Sequence, residues 1–413
     1  MRRRTLLRSA PLAALGLAGC LDRSAGTTES STAWSASVPG PVVHEPAVAD
    51  GAVVVGTDAG TVHALAAGDG HRRWDADVGR PAAGAPLVDA GTAFVVGGEQ
   101  GLGDEQRVVA LDPATGEERW SFDAGGWWLA LHGADDRSVY ISTRDDALGP
   151  AGQTLFAVDR TDGTARWQVP VGDSRGAAVT GETLALATFG RLYAVDLTDG
   201  RQRWTVDAED VDDPRAAAGT VLARVGGAGD TAVRAYDARS GAARWTFDGQ
   251  SVASLSLADA AYAGGRRLVR LPLVSGDPDW RASGPSFVPG APVADGRVFA
   301  GGDRAGAYAT ADGEGLWTFD PSRATATGAT GGSAEPVPEL LVPEVATGGA
   351  VFVRGAGGDA SRRRAYALGQ ADGATRWSFV ADGTLTALAA GDGRAYAGSA
   401  AGAVHAFGAS GAD

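Results

Sequence analysis

Ala110-Leu-Asp-Pro-Ala-Thr-Gly116-Glu-Glu-Arg-Trp120 is the stretch from which the fold of this 413-residue chain is read. A small residue closes a β-prone run, a glycine follows six residues later in a polar turn, and a tryptophan four residues after that. The same spacing recurs at Ala64/Gly70/Trp74, Ala157/Gly163/Trp167, Ala194/Gly200/Trp204, Ala235/Gly241/Trp245 and Ala367/Gly373/Trp377. Arg270 takes the alanine slot before Gly276 and Trp280, Ala309/Gly313/Trp317 reads two residues shorter, and Ala406 with Gly411 runs out before any tryptophan. Nine units are counted. Self-similarity at about 40 residues means stacked supersecondary units, because one such unit cannot bury its apolar face alone.

Each unit reads as all-β. In the first, an extended piece from His44 to Ala49 meets an Asp50-Gly51 turn and then the apolar run Ala52-Val-Val-Val-Gly56. Asp58-Ala-Gly60 leads to Thr61-Val-His-Ala-Leu65, and Gly68-Asp-Gly70 leads to Arg72-Arg-Trp74. Asp-Gly pairs between β-prone runs are strong hairpin signals, so four short strands make one antiparallel sheet. No amphipathic helical period of useful length follows residue 20.

Repeated four-stranded sheets set around an axis form a β-propeller, which closes radially and so protects its sheet edges. The motif resembles the repeat of the pyrroloquinoline-quinone (PQQ) type propellers. That family includes quinoprotein alcohol dehydrogenases and the non-enzymatic lipoprotein subunit of the bacterial β-barrel assembly machine. The resemblance implies that Trp74, Trp120, Trp167, Trp204, Trp245, Trp280, Trp317 and Trp377 dock on neighbouring glycine turns. Gly70, Gly116, Gly163, Gly200, Gly241 and Gly373 would receive them in a girdle locking the ring. The family norm is eight blades, so eight are preferred here over the nine units counted. The Arg270 unit and the long gap from Trp317 to Trp377 are the places where one could be degenerate. The last unit lacks an outer strand and Ala33-Trp34-Ser-Ala-Ser37 is spare, so the two chain ends are expected to pair and seal the ring.

We read one domain, 34–413. Residues 1–20 form a leader, 21–33 a Ser/Thr/Gly-rich tether, and 321–338 a low-complexity insertion expected to be a mobile loop. Arg2, Arg3 and Arg4 before Thr5-Leu-Leu resemble a twin-arginine export signal, and the apolar run after them is too short to span a membrane. Leu17-Ala-Gly-Cys20 resembles a lipobox, which makes Cys20 the lipidated residue of an extracytoplasmic protein held at the membrane. Cys20 is the only cysteine, so no disulfide forms within the chain.

All 36 basic residues are arginine, against 50 acids, for a net charge of −14. The first nineteen residues hold four arginines and no acid, so the remainder is more negative still. A lysine-free acidic surface keeps a protein soluble where salt screens charge strongly, as in a haloarchaeon. It disfavours nucleic-acid binding, which needs basic patches.

Catalytic residues are hard to find. By the resemblance, alcohol-oxidising relatives use a vicinal Cys-Cys disulfide and a Ca²⁺ held by Glu, Asn and Asp. This chain has neither a Cys-Cys pair nor any asparagine, so no PQQ, other cofactor or metal is expected. Sugar-oxidising relatives are untouched by that test. His63 and His405 share the slot before the motif alanine in the first and last units; were those blades neighbours, the two could approach a common metal. The plainer account is that the slot tolerates polar residues, since Tyr193, Arg234 and Tyr366 occupy it elsewhere. Of the remaining histidines, His44, His71 and His132 form no pattern. The run Asp207-Ala-Glu-Asp-Val-Asp-Asp213 lacks the spacing and glycine of a Ca²⁺ loop and reads as solvated surface. Trp127-Trp128 stands off the girdle register, where it either packs or lines a ligand-facing surface. No G-x-S-x-G or H-E-x-x-H motif occurs. The leading expectation is a lipid-anchored, non-catalytic, monomeric propeller that binds a protein or other ligand at the cell surface. An exported quinone- or metal-dependent oxidoreductase and an extracellular sensor are the alternatives.

Overall fold

The computed structural model describes residues 32–79, 83–98, 106–125, 128–144, 153–172, 174–227, 231–248, 251–285, 292–324, 338–358 and 362–409. The leader, Cys20 and almost all of the tether lie outside these residues, as does most of the 321–338 insertion. Of that insertion, Pro321–Ala324 form one short helical turn.

Nine antiparallel sheets of four strands follow one another along the chain. In the first, Ala47–Ala49, Ala52–Gly56, Thr61–Ala66 and Arg72–Asp77 pair in sequence order. The first strands of successive sheets adjoin one another, which places them around the axis, and the tryptophan strands lie outermost. The tightest hairpins are type I′ in character, as their residues require. Both central residues have positive φ at Asp50-Gly51 (51° and 66°), Asp295-Gly296 (49° and 70°) and Asp392-Gly393 (48° and 74°).

The blade number corrects the expectation of eight. The Arg270 unit builds a complete sixth sheet from Ser254–Leu257, Ala261–Gly264, Leu268–Leu271 and Trp280–Ala282. The long gap after Trp317 is spent on the connection from 319 to 340 and on a full eighth sheet, Leu340–Val380. No unit is lost, and the ring has nine blades. A second correction concerns the seventh repeat. Trp317 pairs with Ala307 and not with Ala309, as Trp74 pairs with Ala64 and Trp204 with Ala194. Measured from Ala307, this copy has the standard spacing.

The ninth sheet is made by both ends of the chain. Thr32–Ser37 adds as the outer strand to Ala403–Phe407, with Thr32 opposite Phe407 and Ser37 opposite Ala403. Apolar clusters lie between successive blades, so every sheet buries both faces. One cluster joins Ala185, Ala187 and Ala194 of the fourth blade to Val221 and Ala223 of the fifth around Trp204. Another joins Val404 and Ala406 of the ninth blade to Val53 and Val55 of the first around Trp34.

Candidate functional site

The two faces of the ring differ because their turns do different work. On one face lie the hairpins between first and second strands and the motif turns between third and fourth. Among the described residues each motif glycine there takes positive φ, and the indole of the preceding blade covers it. A Cβ on Gly116 would stand 2.6 Å from Trp74, on Gly163 2.7 Å from Trp120, on Gly200 2.6 Å from Trp167 and on Gly241 2.6 Å from Trp204. Gly70 lies under Trp34, Gly276 under Trp245, Gly313 under Trp280 and Gly373 under Trp317 in the same way. The Nε1–H of each indole also donates to a carbonyl of that next blade. Trp34 donates to Ala67, Trp74 to Pro113, Trp120 to Arg160, Trp167 to Leu197 and Trp204 to Ala238, all at 2.9 Å. Trp245, Trp280, Trp317 and Trp377 continue the series to Leu273, Thr310, Gln370 and Gly408, also at 2.9 Å. Blades two to five add a side-chain staple at this turn. Asp112, Asp159, Asp196 and Asp237 each accept from a turn amide and from Arg119, Arg166, Arg203 and Arg244 respectively. These bonds hold all four carboxyls below the usual range.

The opposite face carries the connections between second and third strands and between blades, and here length varies freely. The strand ends joined by the spans 97–107, 144–153, 282–293 and 319–340 all lie on it, beside those joined by a span as short as 188–191. Variable loops on a rigid scaffold are where propellers and other folds place recognition.

Several innermost strands carry a bulge, which takes one or more residues out of the ladder. Register shifts fall at His132, Arg175 and Glu344, and across Asp212–Arg215. His132 Nε2 lies 2.8 Å from Ser142 Oγ, and burial pushes its pKa down to about 4, so the ring is neutral. Glu344 accepts from Arg354 Nη2 at 2.6 Å and from the Leu388 amide of the ninth blade at 2.8 Å. Asp212 and Arg224 form the matching pair in the fifth blade at 2.7 Å, and Arg224 reaches on to the Ala253 carbonyl of the sixth. Glu45, at the entry to the first blade, has its pKa raised, first by burial and then by the like charge of Glu344, with Arg354 opposing. Arg175 lies 3.6 Å above the ring of Phe189, which is 59% exposed, and 3.6 Å from Asp210. Beside this platform a recess of about 340 Å³ opens between the fourth and fifth blades, lined by Asp207, Glu209, Arg234, Asp248, Ala208 and Val225 among others.

The residues singled out in the sequence are distributed as follows. The acidic run splits among separate arginines, Asp207 to Arg191, Asp210 to Arg175 and Asp212 to Arg224, so it forms no cage. The first and ninth blades are neighbours, yet His63 and His405 serve different partners. His63 bonds Asp75 of its own blade at 2.6 Å, while the His405 ring packs 4.8 Å from Phe379 of the eighth. Among the described residues no group of three or more His, Cys, Asp or Glu could hold a metal. Burial lowers the His44 pKa, and the His71 amide bonds Asp69 in a motif turn. Trp127 lies outside the described residues; Trp128 begins the innermost strand of the third blade, and its side chain lies outside them. Sequence reasoning missed Glu344, Arg354, Arg224 and Phe189. Arginine at 224 and 354, two residues past the large apolar side chains Leu222 and Phe352 that face the motif alanine, was the available signal.

A family model described as outer membrane protein assembly factor BamB matches residues 16–177, 151–276 and 267–412. Among solved structures, BamB from Moraxella catarrhalis superposes with a TM-score of 0.54 at 18% identity, covering 91% of this chain and 97% of that one. The yeast Saccharomyces cerevisiae protein Sqt1 gives 0.55 at 9% identity, covering 92% and 98%. The quinohemoprotein alcohol dehydrogenase ADHIIG from Pseudomonas putida HK5 gives 0.50 at 14%, covering 92% and 76%. At these identities the likeness is one of fold. A serine/threonine-protein kinase, AfsK of Streptomyces griseus, is 29% identical over 158 residues, 34% of this chain. This chain spans only 18% of that kinase's length.

Proposed function

This chain belongs to the family described as outer membrane protein assembly factor BamB, and from that premise we propose that it is an extracytoplasmic, lipid-anchored binding scaffold that recognises a protein partner through its face of variable connections. The observation that carries this reading is the inequality of the two faces. One carries nine indole-to-carbonyl bonds between blades, and the other carries the strand ends that the long connections join, the exposed Phe189–Arg175 platform and the recess beside it. An exposed aromatic held rigid by an arginine is a common anchor of protein interfaces.

The path of the chain end supports an orientation. Thr32 lies opposite Phe407, so the tether reaches the ninth blade on the locked face. A lipid on Cys20 would hold that face toward the membrane, within the roughly 40 Å that twelve extended residues reach, and turn the variable face outward. Binding is proposed for a monomer, with no nucleic acid involved.

The oxidoreductase alternative draws on the dehydrogenase fold neighbour. A quinone carrying several carboxylates needs uncommitted cations, and Arg224 and Arg354 are each committed to a carboxylate of their own blade. That pair therefore offers such a group a poor fit. The sensor alternative draws on the partial match to the kinase.

A photo-crosslinking residue at position 189, compared with one at exposed position 312 on the locked face, tests the proposal in native membranes. A discrete adduct from position 189 alone supports it. Equal adducts from both, or a stoichiometric quinone extracted from the native protein, overturns it.

A further inference from the structure

The strand that closes the ring is tied to one buried imidazole. His405 lies on the third strand of the ninth blade, directly opposite Ser35 of the closing strand, with Nδ1 2.9 Å from Ser35 Oγ. The residue is 7% exposed, and its ring packs on Phe379 of the eighth blade, 4.8 Å away, and Phe407 of its own strand, 6.2 Å away. Its Nε2 is buried with no hydrogen-bond partner. With Nε2 unpartnered, Nδ1–H donates to Ser35 and Nε2 keeps a bare lone pair, the tautomer that leaves no buried donor unpaired.

We propose that His405 is an acid-sensitive latch: protonation at Nε2 places an unpaired N–H and a positive charge between the eighth and ninth blades, beneath the sheet that holds the closing strand, and Thr32–Ser37 is released. The step adds one proton from water and breaks no covalent bond. The groups facing the ring are Ser35 from the closing strand, Phe379 from the eighth blade and Phe407 from its own strand. Asp382, after the Phe379 strand, is the one charged group acting on it among the described residues. Asp382 favours the cation, but burial outweighs it and brings the ring down to about 4. The imidazole therefore titrates at a higher pH once exposed than while buried. Stability is fully present above the ordinary histidine value and is lost as pH falls from there toward about 4.

The closing strand is the element that yields because it pairs with only one neighbour and, unlike the other outer strands, is joined to it by no hairpin. Its release would free Trp34 from Gly70 and expose the edge of Ala403–Phe407.

Amide exchange of the full chain, corrected for its intrinsic pH dependence, tests the latch at pH 7 and pH 4. Exchange of Thr32–Ser37 should speed up roughly a hundredfold, since each pKa unit is worth tenfold, while the core strand Thr183–Thr188 of the fourth blade stays unchanged. His405→Phe removes the titration and keeps an aromatic of the kind the slot carries at Phe156; it should abolish the acceleration. His405→Gln serves as a second non-titrating variant should the phenylalanine fail to fold. The latch is overturned if the variants keep the acid response, if both strands accelerate together, or if neither does.

Discussion

Trp34, near the start of the described chain, lies across Gly70 of the first blade, so close that a Cβ there would meet its ring at 2.5 Å. Its Nε1–H donates to Ala67 at 2.9 Å. The same lock that joins the internal blades thus joins the two ends of the chain. The closing seam carries an indole, a positive-φ glycine and a carbonyl acceptor, as do the seven seams from Trp74 to Trp317.

The lock predicts that the glycines are as demanding as the tryptophans. Gly116→Ala meets positive φ (77°) and the Trp74 ring together. Strained backbone and overpacking each cost about 1–3 kcal/mol, so the loss should exceed that of Gly219→Ala. Gly219 also has positive φ, but no neighbour lies within 4 Å of its Cβ position. Denaturant midpoints of the two variants compare them directly.

Trp204→Ala should lose ~3–5 kcal/mol by large-to-small truncation in a core. Trp204→Phe should lose less, because it keeps most of the packing and gives up the bond to Ala238. Denaturant titration at high salt is the measurement, and a loss below about 1 kcal/mol for the alanine variant would contradict a structural role of that size.

In the eighth blade, Arg354→Ala strips Glu344 of its partner in a site where both are largely buried. Breaking such a pair typically costs about 3–5 kcal/mol, whereas replacing both partners together by apolar residues is often near neutral. Arg354→Met with Glu344→Leu should recover part of the loss, less what the Leu388 amide forfeits. Thermal unfolding of the single and double variants separates these terms.

Glu45 supplies a pH dependence of known sign. Its pKa is raised in the folded chain, by burial and by Glu344, so the folded state holds the proton more tightly than the unfolded state. Stability from this group is present below the ordinary glutamate value and is lost as pH rises through the higher folded one. Glu45→Gln should therefore raise the melting temperature at pH 7, and the gain should disappear near pH 4. Melting curves across that range check it.

The ring was legible because three residue types at fixed spacing encode its contacts: the indole needs the glycine, and the strand needs the small residue opposite the indole. The blade number was misread because a family norm was set above the count of units. The slip at Ala309 has a simpler cause. Ala307-Tyr-Ala309 alternates, so two alanines two apart point the same way from one strand, and only the pairing with Trp317 tells them apart. The Glu344 cluster was not legible because Glu344 and Arg354 come from two strands of the eighth blade and Leu388 from the segment leading into the ninth. Nor could shared slots show that His63 bonds its own blade's Asp75 while His405 packs on the eighth.

Closure by the two chain ends is the claim on which the rest depends, and a disulfide tests it most directly. Ser37 and Ala403 stand opposite one another on antiparallel strands, a geometry that suits a disulfide. Replacing both with cysteine in a Cys20→Ser background leaves those two thiols alone in the chain. Mild oxidation should give a monomer with an intramolecular bridge between positions 37 and 403, identified by peptide mass. Two free thiols after oxidation, or bridges only between separate chains, would contradict the closed ring.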